Sequence, residues 1–297
     1  MVTSSKFNNE TIIFDRELIK NKRQRASNSF SEHDFLFQWS RNQICERLLD
    51  INRHFDTALN IGSRCPIPSD HKKIGQISTM DLVDTPITRC TPYIQGNEEL
   101  LPIANNSMDL VLSNLNLHTV NDLPGTLIQI RNTLKSDGLF MSSIFGGETL
   151  HELRKAIADI EISMFGGISP RIFPFADKPQ MGDLIQRAGL NLPIIDSEII
   201  TVTYDNVFKL LHDIRGMGES NSIIERNKTP LNKEFFMRLA QKYHDNYAED
   251  DGRIVASFEI IFLHGWAPHE SQQTPLRPGS AKNSLAEALG SKEIKLG

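Results

Sequence analysis

Residues 106–147 read NSMDLVLSNLNLHTVNDLPGTLIQIRNTLKSDGLFMSSIFGG, and this stretch decides the fold. Its first apolar run, 108–112, starts on Met-Asp and ends in Ser-Asn, the pattern of a short buried strand. Past a polar break, Leu123, Leu127, Ile128, Ile130 and Leu134 recur at helical spacing, with Asn121 or Asp122 as cap and Pro124 in the first turn. Lys135-Ser136-Asp137-Gly138 then stops the helix, with Gly138 expected in the left-handed position, and 139–145 is a second apolar run. Two parallel strands joined through a helix need a right-handed crossover and a sheet covered on both faces. The spacing therefore predicts an α/β protein, and the rest of the chain reads as the remainder of that sheet.

The chain has 297 residues, 39% of them hydrophobic, enough to bury a large core. A net charge of -5 gives no general field for nucleic acid, so no such partner is expected. Cys45, Cys65 and Cys90 are scattered, without zinc spacing or an even disulfide framework, which predicts a reducing compartment and a cytoplasmic location. No run approaches the roughly 20 apolar residues of a membrane helix, and no secretory apolar core opens the chain. The basic run Lys20, Lys22, Arg23 and Arg25 reads as a solvated helix face; its functional alternative is contact with an acidic partner or peripherally with a membrane. Composition says nothing of oligomeric state.

Taken in order, residues 1–51 are expected to be a polar leader followed by helical segments, the one at 35–49 covering an edge of the sheet. Residues 52–204 hold the core. Its strands are 55–61, 74–77 and 89–95, then the unit above, then 194–204, with helices at 149–164 and 178–188 between. Residues 205–252 read as a helical lid insertion, 207–214 and 231–247 being helical, and 253–270 supply a final strand at 254–266 that pairs antiparallel with 194–204. Residues 271–297 read as a flexible tail with at most a short helix at 284–289.

Candidate chemistry is sparse. Gly62-Ser63 follows the first strand, where parallel sheets bind ligands and a glycine lets the backbone approach one. His118, just past the fourth strand, is a candidate to bind substrate or act as a base, or else a structural histidine leading into the helix. In Gly216-Met217-Gly218-Glu219-Ser220-Asn221, two glycines allow a tight turn under the lid; Glu219 and Asn221 either hold a polar substrate group or cap helices. His264 and His269 lack an acidic third ligand, so no metal site is read, and no two-histidine, one-carboxylate iron set is legible.

The order of strand, glycine turn, Asn97-Glu98-Glu99-Leu100-Leu101-Pro102, the 108–115 strand and Leu134-Lys135-Ser136-Asp137-Gly138 resembles a class I S-adenosylmethionine-dependent methyltransferase. More narrowly, Phe14-Asp15-Arg16, Asn121-Asp122-Leu123-Pro124, Phe145-Gly146-Gly147, 149–154, 216–221 and 269–272 resemble one branch of that superfamily. That branch holds the malonyl-carrier-protein methyltransferase of biotin synthesis and the mitochondrial complex I assembly factor regarded as a protein-arginine hydroxylase. The resemblance implies a Rossmann-like seven-stranded sheet with the last strand antiparallel, and S-adenosylmethionine as cofactor. It places Asn60, Gly62 and Ser63 in the cofactor turn, Ser78 on the ribose-binding acid unless a register slip brings Asp81 there, and Asn97 and Glu98 at the adenine. Ser113, Asn114 and Leu115 would face the methionine moiety, and His118, Phe145, Gly146, Gly147, Glu219 and Asn221 the substrate. The turn departs from the family's: two glycines are replaced in Gly62-Ser63-Arg64-Cys65-Pro66, one of them by arginine, which implies weakened cofactor binding. The implied function is methyl transfer to a protein or carrier-bound substrate. The alternative is a complex I assembly factor that hydroxylates an arginine of a subunit, or binds the subunit without catalysis.

Overall fold

Apolar runs without alternation make strands buried on both faces. The computed structural model describes residues 12–62, 64–84, 92–273 and 290, and among these assembles seven strands into one sheet, buried most fully along β4, β5 and β7 and exposed at the edges β3 and β6. They are β1 (Phe55–Ile61), β2 (Ile74–Asp81), β3 (Tyr93–Gln95), β4 (Met108–Asn114), β5 (Leu134–Phe145), β6 (Asn191–Tyr204) and β7 (Ile254–Trp266). Their order is β3-β2-β1-β4-β5-β7-β6. The first five run parallel, while β7 lies antiparallel between β5 and β6. This is the α/β sheet with an antiparallel last strand that the sequence predicts.

The helices are α1 (Arg16–Ala26), α2 (Phe35–Asp50), α3 (Leu123–Thr133), α4 (His151–Phe165), α5 (Lys178–Arg187), α6 (Val207–Gly216) and α7 (Lys233–Tyr247). The two-residue alternation of each strand sorts the sheet between two cores. Leu139 and Met141 of β5 join Phe37 of α2, Leu153 of α4 and Leu239 of α7, whereas Phe140 and Ile144 join Leu127 of α3 and Ile185 of α5. Among the described residues no helix is long and apolar enough to cross a membrane.

Three expectations are corrected. The helix at 35–49 does not cover an edge: α2 packs on β4 and β5 in the middle of the sheet. Its small, fully buried Ser40 permits the approach and donates to Ser143 Oγ at 2.7 Å. Past α3 the left-handed residue is Asp137 (φ 62), not Gly138. Gly138 is needed for space instead, since a Cβ there would lie 2.8 Å from the Lys135 carbonyl oxygen. Finally, β2 runs on to Asp81, because residues 78–81 pair with β1 and β3. The leading residues 1–11, the first part of the strand read at 89–95, and the helix read at 284–289 lie outside the described residues.

The N-terminal segment is stitched to the far end of α6. Ile19, Phe14, Phe173 and Ile223 form a small third core, and Asp15 N donates to Ser222 O at 2.8 Å. Nearby, Gly216 closes α6 against His33, whose Nδ1 is held 2.7 Å from Asp213 Oδ1. A Cβ at 216 would meet His33 Cδ2 at 2.1 Å, and the clamped ring cannot turn away cheaply. Glycine to alanine inside a helix ordinarily gains roughly 0.5–1 kcal/mol. Gly216→Ala is expected instead to lower the urea midpoint, with a net cost of about 1–3 kcal/mol from overpacking, and His33→Ala in the same chain should recover most of the loss.

Candidate functional site

Strand order reverses beside β1, and ligands of open parallel sheets lie beyond the carboxyl ends at that point. Two left-handed residues shape the crevice there: Gly62 (φ 72) after β1 and Leu115 (φ 45) after β4. The residues expected at the cofactor do gather around it, but most are engaged with one another. Asn114 Nδ2 donates to Phe37 O (3.0 Å) and Cys65 O (3.2 Å), and its Oδ1 accepts from Ser143 Oγ (3.1 Å). Glu98 is fully buried, paired with Arg16 and accepting from Asn116 Nδ2 at 2.6 Å. Asn97 Oδ1 accepts from Glu99 N at 3.1 Å. Asn60 and Ser113 are fully buried with side-chain polar atoms that have no partner. Ser63 lies outside the described residues. Ser78 sits inside β2, opposite Leu59, three residues short of the strand's end; the buried acid at that end is Asp81.

The space over Gly62 is taken. A Cβ there would fall 2.0 Å from Asn116 Cγ, and Asn116 is itself clamped by Glu98 and by Arg23 Nη1, 2.7 Å from its Oδ1. Beside it lies Arg64, whose Nη1 donates to Met217 O at 2.6 Å and Nη2 to Leu115 O at 3.1 Å. As folded, the described residues do not fit the methionine end of S-adenosylmethionine: the chain's own side chains fill its place.

What fills it is a buried charge cluster centred on Glu219. Arg64 Nη2 lies 2.6 Å from Glu219 Oε1 as an ion pair without hydrogen-bond alignment; Arg23 Nη2 is 3.7 Å from the same oxygen, and His118 Nε2 is 3.0 Å from Oε2. Burial opposes ionisation of Glu219, yet the charge of Arg64, then His118 and Arg23, outweighs it and holds the carboxyl well below the usual carboxylate range. Burial, with repulsion from Arg23, brings Arg64 down to about 10, so it is charged at neutral pH. Burial also pushes His118 below its ordinary value against the pull of Glu219. A neutral His118 donating from Nε2 leaves Nδ1 as a buried acceptor without a partner, able to take a proton.

Arg16, Arg23 and Asn116 are members of this buried cluster that the sequence reading missed, and the reading of Arg23 as solvated is corrected: it is 2% exposed. The signal was present. Ile19, Arg23 and Ala26 stand at i, i+4 and i+7 of α1, one buried face with an arginine in it.

Glu219 also reaches a second feature, a cavity of about 240 Å³ walled by Phe145, Phe173, Phe175, Phe235 and Phe258. The His118 ring packs against it, 5.0 Å from the ring centre of Phe145 and 6.0 Å from that of Phe175. Of the expected substrate residues, Phe145, Glu219 and Asn221 line this cavity and His118 stands behind its wall, though Asn221 spends its amide on Pro170 O (2.8 Å) and Ile223 N (3.0 Å). Gly146 and Gly147 do not line it. They turn the chain against β7, where a Cβ on Gly146 would strike Glu259 at 2.5 Å. Glu219 is the one carboxylate among the lining residues; Arg171, paired with Glu161, and Arg215 line the cavity too, so its described charges are mixed and its walls chiefly aromatic.

The cluster gives stability a two-stage acid dependence. His118 and Glu219 both have native values below their unfolded ones, so the stabilisation is complete above the unfolded value and fades as pH falls through the native one. Unfolding free energy should fall first below about pH 6.5 through His118 and again below about pH 4.3 through Glu219. Burial lowers His264 to about 4, so it shares the first limb; His118→Asn should make that limb shallower, leaving the His264 part and the second limb, in urea titrations run across pH. Glu219→Gln, which removes the nearest counter-charge of two buried guanidiniums and leaves Arg23 only Glu98 and Arg64 only Asp81 farther off, should cost about 3–5 kcal/mol.

Residues 67–142 match the family described as a methyltransferase domain. The chain is 38% identical over 286 residues to the mouse protein named arginine-hydroxylase NDUFAF5, mitochondrial, covering 93% of this chain and 83% of that one. It is 36% identical over 172 residues to malonyl-[acyl-carrier protein] O-methyltransferase of Gallionella capsiferriformans, covering 57% and 56%. Among solved structures the YcgJ protein of Bacillus subtilis superposes with a TM-score of 0.52 at 12% identity, over 78% of this chain and 99% of that one, which speaks to the fold. The mouse relative is mitochondrial by name, which corrects the expectation of a cytoplasmic location: scattered cysteines do not distinguish one compartment from another. The chain belongs to the class I S-adenosylmethionine-dependent methyltransferase superfamily, in the branch of the NDUFAF5 arginine-hydroxylases.

Proposed function

We propose that this chain works in mitochondria on a protein partner, a subunit of respiratory complex I, and receives one of its arginine side chains in the aromatic cavity with Glu219 as the guanidinium-binding carboxylate. The observation that carries this reading is the carboxylate itself. Glu219 is almost fully buried, held ionised, and the one carboxylate lining a cavity walled by phenylalanines, where Arg171 is already paired with Glu161 and Arg215 is the other lining cation. Carboxylates bind guanidinium through charge-assisted bonds, and aromatic faces stack on its plane. The names of the relatives that align along nearly the whole chain point the same way. His118, bonded to Glu219 and with Nδ1 free, is the group placed to accept a proton beside the bound side chain.

A second reading, methyl transfer from S-adenosylmethionine, is favoured by Asp81 at the end of β2 and by the unpaired polar atoms of Asn60 and Ser113 at the ends of β1 and β4. In it, Asp81 rather than Ser78 grips the ribose, and Asn97 and Glu98 lie at the adenine.

Mass separates the readings. Complex I subunits incubated with the purified chain in aerated mitochondrial extract, which supplies O2 and a two-electron reductant, should bind it and gain one oxygen on an arginine, the other oxygen atom leaving as water; a gain of one CH2 unit there would establish methylation, and a bound subunit of unchanged mass a binding role alone. Replacing the modified arginine by lysine should weaken binding about tenfold. If no complex I subunit binds, the reading is wrong. Calorimetric titration with S-adenosylmethionine is expected to give no heat with the native chain, and measurable binding with Arg64→Gly would show that Arg64 closes the cofactor's place.

A further inference from the structure

Arg64 is held in the way a ligand is held. Its guanidinium has Glu219 Oε1 at 2.6 Å, donates to the Met217 and Leu115 carbonyl oxygens, and lies over the Phe37 ring at 4.5 Å from its centre. Those contacts form a complete receptor for a guanidinium: one carboxylate, two backbone acceptors and an aromatic face. Arg23, the other arginine at Glu219, is fixed differently. It donates to Asn116 Oδ1 at 2.7 Å and Thr119 Oγ1 at 3.1 Å, and stands 3.7 Å from the carboxylate. Arg23 belongs to the wall, and Arg64 is the occupant.

The occupant is a side chain at the edge of an anchored segment. Residues 64–73 after β1 carry no helix, and Cys65 and Ile67 are buried in the core, so exchange moves the Arg64 side chain and leaves the backbone beyond it in place. Glu219 is shared between the receptor and the aromatic cavity, so its carboxylate is the point at which a cationic side chain in the cavity meets the receptor. With Arg23 and Arg64 both charged around Glu219, the cluster has no room for a third cation, and a guanidinium gains access only by exchange. Exchange preserves both the local charge and the number of hydrogen bonds.

We propose that Arg64 is an internal stand-in for the substrate, occupying the guanidinium site at Glu219 until an arginine side chain of the partner displaces it. This rests on the reading that an arginine is the ligand. A tethered competitor has an effective concentration on the order of millimolar or above, so the native chain binds free arginine derivatives weakly, and specificity falls to partners that bring further contacts.

The test is calorimetric titration of the full chain with N-acetyl-arginine methylamide, and with the matching lysine compound as a cation control. Arg64→Met keeps an apolar stem on Phe37 and vacates the receptor. It should bind the arginine compound at least about tenfold more tightly than the native chain, because the fraction of competent sites rises, with no gain for lysine. Adding Glu219→Asp should reduce that gain, and adding Leu211→Trp, which fills the cavity, should abolish it. Equal affinity in the native and Arg64→Met chains overturns the proposal, as does a gain that survives Leu211→Trp. If Arg64→Met folds poorly, the same receptor is read by melting temperature: methylguanidinium should raise that of Arg64→Gly and leave the native chain's unchanged, and no rise overturns it. A gain in these titrations with no complex I subunit bound would leave the receptor standing and remove the proposed partner; modification of a subunit without the gain would do the reverse.

Discussion

One buried carboxylate between two arginines is the constraint on which the rest of this site depends. Glu219 draws in Arg23 from α1, Arg64 from the turn after β1 and His118 from the end of β4, so four segments distant in sequence meet at one charge. The contacts around it follow from that choice. Lys22 donates to the carbonyl oxygens of Ser220 and Asn221, and Ile224 N to Ile13 O, which lashes the N-terminal segment to the residues carrying Glu219. Removing two guanidiniums from water is costly unless every part of them is bonded. The N-terminal helix is therefore part of the site rather than an appendage beside it.

The fold was legible because its signals are local and repeated. Residues 108–145 show the period of a helix between two unbroken apolar runs, and long β-branched runs at 194–204 and 254–266 could only close the sheet at one edge. The misplaced pieces failed for reasons of pairing and packing. Nothing between residues 74 and 81 marks a strand end, so the sequence left both Ser78 and Asp81 open at that end, and only the ladder with β1 and β3 carries β2 on to Asp81. Likewise α2 has apolar residues on much of its surface, which says that it is covered but not by which strands.

The site was half legible. Glu219 and His118 stood out because a lone acid just after two closely spaced glycines and a histidine just past a strand are unusual, and the structure bonds them at 3.0 Å. Arg23 did not, since a run of four cations on a helix looks solvated until its phase is compared with Ile19 and Ala26. Asn116 carried no signal of its own: its importance comes from filling the space over Gly62, a relation between residues 54 positions apart that only the fold creates.

The altered glycine turn and the charge cluster are two halves of one change. A glycine-rich turn keeps a crevice open by having no side chains, and the polar groups around it then wait for a ligand. Once arginine enters the turn, those groups must find partners inside the protein or bear about 1–3 kcal/mol each for lost hydration. Asn114, Asn97 and Glu98 have found them; Asn60 and Ser113, at the ends of β1 and β4, have not. The closure is thus complete in charge and volume beside Gly62 and incomplete in hydrogen bonding beneath it. A crevice sealed in this way has two closures, Asn116 clamped by Glu98 and Arg23 over Gly62 and Arg64 gripped by Glu219 beside it, and a group that competes for the Glu219 carboxylate acts on the second alone.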